Sequence, residues 1–201
     1  MRHIKVLLSM GVPMGLQYSI TAIGSVILQA AVNGLGAVTV AAVTAGSKIS
    51  SFCVAVTDAL GATMATYCGQ NVGAGKLDRV RKGVKVATII GIIYSVIVFV
   101  LMIFIGGELP KLFIDVSKAD VIEKARIFLL WNSGFYFALI FVNVWRNSIQ
   151  GMGFPMFAIL SGVCEMFARG IVGFAGVKYF GFVAACMGSP LAWIIADIFL
   201  I

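Results

Sequence analysis

The sequence predicts an all-α integral membrane protein with six transmembrane helices, and three observations lead there. Hydrophobic residues make up 61% of the 201 residues and the mean hydropathy is +1.05. Soluble domains are roughly 45–50% apolar, so one water-soluble core could not hide these side chains. The apolar runs are repeatedly long enough to cross a bilayer, which takes about 20 residues as a helix and gives about six crossings in a chain of this length. The runs are also continuous rather than alternating, which removes a transmembrane barrel. In hydrocarbon the backbone must then satisfy itself within each helix.

The first helix is expected over about 6–33, with Pro13 bending or starting it near one end. Its opening, Met1-Arg2-His3-Ile4-Lys5, imitates a signal peptide, but polar and breaking residues interrupt the run and no small-residue cleavage site follows. Gly34 to Ala37 read as a short hairpin. The second helix, about 38–67, is rich in Ala, Gly, Ser and Thr, which let membrane helices approach closely. Gly69 to Lys76 read as a glycine-rich turn that feeds a basic segment. The third helix covers about 84–105. A longer loop over 106–124, mixed in charge, has room for a short interfacial helix. The remaining spans are about 126–144, 154–177 and 182–201, so residues 1–201 form a single six-helix domain. Because the chain stops on an apolar residue, it is expected to be a piece of something longer.

The formal charge is +7, yet the basic residues do not form one soluble face, so nucleic acid is not the expected partner. Lys76, Arg79, Arg81, Lys82 and Lys85 cluster between two apolar runs, as a cytoplasmic loop does under the positive-inside rule. Both termini are then expected in the cytoplasm, with Lys111, Lys118, Lys124, Arg126 and Lys178 outside. Cys53, Cys68, Cys164 and Cys186 are scattered with no close pair, and read as small buried hydrophobes rather than disulfides or zinc ligands.

Polar residues within the spans are the candidates for function. Gln17, Thr21, Ser25, Gln29 and Asn33 follow one another at four-residue steps on the first helix, a stripe that winds gradually around it. It either lines a cavity wall or supplies hydrogen bonds between helices. Lys48 and Asp58 are charges on the second helix, too far apart along the axis to pair directly. Lys48 faces a wet cavity or an internal acid, or else belongs to a structural ion pair. Glu165 and Arg169, four apart with the acid first, can neutralise each other, or Glu165 can titrate during transport. Asn132, Tyr136, Asn143 and Asn147 share a face of the fourth helix, as cavity or as glue. Asp197, near a helix end, is expected to be solvated.

Other chemistries lack material. Gly75-Lys76 is followed by Leu77, and the glycine that a P-loop requires earlier is Gln70, so no nucleotide motor is encoded. The lone His3 at the chain start supplies neither a serine triad nor a histidine metal centre. No enzyme, metal site or cofactor is expected.

Gly11-Val12-Pro13, Leu16-Gln17, Asn33-Gly34-Leu35-Gly36, Ala41-Ala42 and above all Tyr67-Cys68-Gly69-Gln70-Asn71-Val72-Gly73-Ala74-Gly75-Lys76 with Arg79 resemble the multidrug and toxic compound extrusion (MATE) transporters. Arg146, Gln150-Gly151-Met152-Gly153, Glu165 with Arg169, and Pro190 with Trp193 extend the resemblance over nearly the whole chain. It implies one lobe of a twelve-helix fold, the C-terminal one, with the N-terminal lobe missing. It also implies export of small amphipathic or cationic compounds across the cell membrane in exchange for sodium ions or protons. The partner would be a second six-helix lobe or a second copy of this chain. Some members bind the coupling cation through a carboxylate on the helix matching the fourth one here, which offers Asn132, Tyr136 and Asn143 but no acid between Trp131 and Gln150. A lipid-linked sugar flippase of related fold predicts a more basic interior. An inactive fragment or membrane scaffold predicts that Lys48, Glu165 and Arg169 tolerate alanine.

Overall fold

The computed structural model describes residues 2–201 and, among the first ten, only the side chains of Ile4 and Leu8. Met1 and the side chains of Arg2, His3 and Lys5, which open the first apolar run, lie outside the described residues. The helices are α1 (Arg2–Asn33), α2 (Ala37–Gly73), α3 (Leu77–Ile105), α4 (Ala119–Gly134), α5 (Tyr136–Gly151), α6 (Pro155–Ile171), α7 (Val177–Phe180) and α8 (Phe182–Leu200). A 3₁₀ turn at Leu109–Leu112 lies in the loop between α3 and α4, and a π-type segment at Val172–Gly176 joins α6 to α7 as one span, Pro155–Phe180. Among the described residues five helical segments are long and apolar enough to cross a membrane, or six if the bent pair α4–α5 is one span.

The largest departure from the sequence reading is the fourth span. It is not one helix over 126–144 but two helices meeting at Phe135 with a 47° bend. Phe135 has φ −108° and ψ 10°, outside the helical well. The second departure is at Gly69–Gly73, which is not a loop. It forms the last turns of α2, because Cys68 is fully buried and Gly69 lies against the Gly151 backbone. Tertiary packing of this kind outweighs the weak helix propensity of glycine. The connection shrinks to Ala74–Lys76, with Gly75 at φ +69°, and α3 starts at Leu77 rather than near Val84.

α5 runs through the middle of the bundle, against α2, α3, α6 and α8, while α1 packs chiefly on α6. Its neighbours build two apolar clusters. One surrounds Tyr136, Leu139, Val142 and Trp193; the other surrounds Met64, Cys68, Ile140 and Val144. The outer face of α3 instead exposes Ile89, Ile90, Ile93, Ile97 and Phe104, a surface suited to lipid. At the other end, Lys124 donates to Thr39 Oγ1 at 3.0 Å and sits 5.6 Å from the centre of the Phe182 ring, tying α4 to α2 and α8. Lys124→Ala is expected to lower stability by about 1 kcal/mol, read as a small fall in the unfolding midpoint in detergent; an unchanged midpoint would show that this tie contributes nothing. In the loop between α3 and α4 Asp115 accepts the Ser117 backbone N–H, which holds its carboxyl below the usual range.

Candidate functional site

The interior of the lobe holds a chain of polar side chains that begins on α2 and ends on α1. Asn143 of α5 donates through Nδ2 to Thr57 Oγ1 at 3.0 Å and to Asp58 Oδ1 at 3.1 Å. Its Oδ1 accepts a long hydrogen bond, 3.5 Å, from Arg146 Nη2 one turn further along α5. Arg146 Nη1 in turn binds Glu165 Oε1, and the other oxygen of Glu165 pairs with Arg169 Nη2 at 3.0 Å. Arg169 Nη1 reaches the Thr21 carbonyl of α1 at 3.5 Å. One carboxylate, 2% exposed, is therefore held between two guanidinium groups that are themselves buried. Asp197 of α8 is half-buried, rather than solvated as its position near a helix end suggested.

Glycines make this arrangement possible. At Gly61 a Cβ would lie 2.7 Å from Asn147 Nδ2 and 3.1 Å from the Asn143 carbonyl, so α2 can lie against the polar face of α5 only with hydrogen at that position.

The other half of the site is open. Two adjoining hollows of about 430 and 440 Å³ share Ser25, Ser47, Phe128 and Ser189. Gln29 lines one; Ser51, Asp58, Asn132 and Tyr136 line the other. Ser25 and Ser51 donate to carbonyls one turn back on their own helices, at 3.2 and 2.8 Å, so lipid contact would leave those hydroxyls satisfied. Asp58 differs. Its carboxylate is exposed on the groove, accepts one bond from Asn143, and forms no ion pair within the lobe among the described residues. It lies about 22 Å along the axis from the end of α2. A carboxylate facing hydrocarbon costs roughly 2.5–3.5 kcal/mol on insertion scales, so this groove must meet water or protein.

The residues singled out by sequence divide between these two halves. Ser25, Gln29 and Tyr136 line the groove. Asn143, Glu165 and Arg169 are sealed in the bundle, and Gln17 and Thr21 pack over Gly162 of α6 with only Gln17 fully buried. Asn33 is exposed and accepts from Gln29 Nε2 at 3.2 Å. Lys48 is exposed at a separate hollow beside Asp115 and Lys118, with no internal acid as partner among the described residues. Gly69, Gln70, Asn71 and Gly73, expected in a cytoplasmic loop, are helical; Gly75 alone of these five lies in the turn, and Arg79, in the first turn of α3, accepts the Tyr67 hydroxyl with its carbonyl. Sequence reasoning missed Arg146 as the second partner of Glu165. The two lie 19 residues apart on different helices, where no spacing rule applies.

A polytopic helical bundle with a buried charge cluster beside an open polar groove is the architecture of a membrane transporter lobe. Solved structures similar to it agree: 98% of the chain superposes on MATE in complex with MaL6, with a TM-score of 0.88 at 20% identity. The outward-facing conformation of a multidrug resistance MATE family transporter of the MOP superfamily gives 0.82 at 20% identity. A MOP superfamily transporter from Pyrococcus furiosus, whose structure is described as having a binding pocket of reversed polarity, gives 0.85 at 20%. The chain spans 43–44% of the length of these three structures. A search of curated proteins returned no match. The MatE family profile matches residues 13–174, and the chain belongs to that family, one of membrane transporters rather than enzymes.

Proposed function

We propose that the chain is one lobe of a cation-coupled exporter of small amphipathic or cationic compounds, corresponding to the C-terminal half of the family fold. It works by alternating access against a second six-helix lobe, on the same chain or another, in the cell membrane with both ends cytoplasmic. The observation that carries this reading is Asp58 at membrane depth on an open groove, a group that demands an aqueous or protein face opposite it. A midplane site between two lobes supplies such a face. A sodium ion or a proton is suited to the open carboxylate of Asp58; Asn143 turns its amide nitrogen to that group, so the other ligands of a bound cation come from water or from the facing lobe. Gln17, Thr21, Ser25, Gln29, Asn33, Lys48, Tyr136, Asn143, Glu165 and Arg169 form the pathway and its support. Gly69, Gln70, Asn71, Gly73, Gly75 and Arg79 shape its cytoplasmic end. A lipid-linked sugar flippase requires a basic groove, whereas the charge on this one is acidic.

The experiment is efflux of a cationic dye from export-deficient cells expressing the chain together with any first-lobe sequence encoded upstream. Asp58→Asn is expected to lower the initial rate about tenfold, the scale of a typical coupling free energy. Retention of dye by cells carrying the complete protein, with the protein present in the membrane, overturns the reading.

A further inference from the structure

A hollow of about 620 Å³ on another face, between α3 and α5, takes no part in the groove. Its walls are oil: Val84 and Ile89 of α3 face Ile149 of α5 and Met152. Its rim is cationic. Arg81 and Lys85 stand one turn apart on α3, both exposed, and neither pairs with an acid among the described residues. They flank the point where α3 changes from its basic start to the Ile-rich lipid face, which is the depth of lipid headgroups. Trp145 and Ser148 also line the hollow, and the Trp145 Nε1 is buried with no hydrogen-bond partner among the described residues.

We propose that this hollow is a binding site for an anionic phospholipid. Its phosphate is held by Arg81 and Lys85, and an acyl chain fills the apolar trough. Charge decides the lipid class. A zwitterionic headgroup brings its own cation to the phosphate and gains little from two more, whereas a net negative headgroup gains from both. The depth of the trough distinguishes this site from the diffuse attraction of a basic loop. Lys76 in the connection and Lys82 on α3 belong to the same basic segment but do not line the hollow.

The test is lipid retention. The full chain is purified in mild detergent from an equal mixture of phosphatidylglycerol and phosphatidylcholine, and the lipid left per chain after washing is counted by mass spectrometry on the monodisperse fraction. Phosphatidylglycerol should be enriched. R81Q/K85Q should lower its retention about tenfold, while K76Q/K82Q leaves it unchanged. I89W, a change on the exposed wall that fills the trough, should also reduce it and keeps the test decisive if the double variant does not fold. Equal retention of the two lipids by the unaltered chain, an equal loss in K76Q/K82Q, or full retention in R81Q/K85Q or I89W each overturns the site.

Discussion

Glu165→Ala is expected to be the most damaging single charge removal in the lobe, at about 3–5 kcal/mol. The reason is the asymmetry of the cluster. Glu165 is the acid bonded to both Arg146 and Arg169, all three buried. Without it, two guanidinium groups of like charge face each other in a low-dielectric interior with one amide oxygen and one carbonyl as remaining acceptors. Arg169→Ala should cost less, because Glu165 keeps Arg146, and the Nε of Arg169 already lacks a hydrogen-bond partner. The measurement is the midpoint of unfolding by denaturing detergent for the two variants side by side. If Arg169→Ala proved as severe as Glu165→Ala, the carboxylate would not be the keystone that the geometry makes it.

Gly151→Ala is the second large effect. An added Cβ would stand 2.2 Å from the Ala65 carbonyl oxygen and 2.8 Å from the Ala65 Cα, so it would meet backbone that cannot rotate away. α5 would have to lift from α2 along the contact where Gly69 also touches Gly151. The expected loss is about 3 kcal/mol, the upper end for overpacking, with a matching fall in folded yield. Gly134→Ala is the control: its Cβ would meet the Phe99 ring at 3.5 Å, ordinary van der Waals contact, and the loss should be distinctly smaller. Equal losses at the two positions would mean that helix separation is not what limits this crossing.

Which parts of this molecule were legible in its sequence follows from how far each signal reaches. Hydropathy marked long apolar runs where the structure has five to six candidate crossings, since bilayer thickness imposes a length on every run. It could not see the break at Phe135, because a change in backbone direction leaves an apolar run apolar. Glycines 69 to 75 read as a loop from their local propensity, but their conformation is set by a helix 80 residues away, where Gly151 lets α2 continue. The Glu165–Arg169 pair was legible because four-residue spacing is a local rule. Arg146, just beyond the expected fourth span, joins it through the fold alone, and so does the link from Asp58 to Asn143. The polar stripe on α1 was real as a stripe, but its direction of winding split it between a sealed contact at Gln17 and an open surface at Ser25.

The bend at Phe135 divides the lobe mechanically. A helix bends most easily where its ladder of hydrogen bonds is interrupted, so compliance is concentrated at one joint between α4 and α5. Asn143 and Arg146 lie on one side of that joint, and Lys124 with its tie to Thr39 lies on the other. A push on the outer end of α4 is therefore taken up as rotation about Phe135 before it strains the guanidinium cluster, which rides on a stiff beam while its neighbour behaves as a lever.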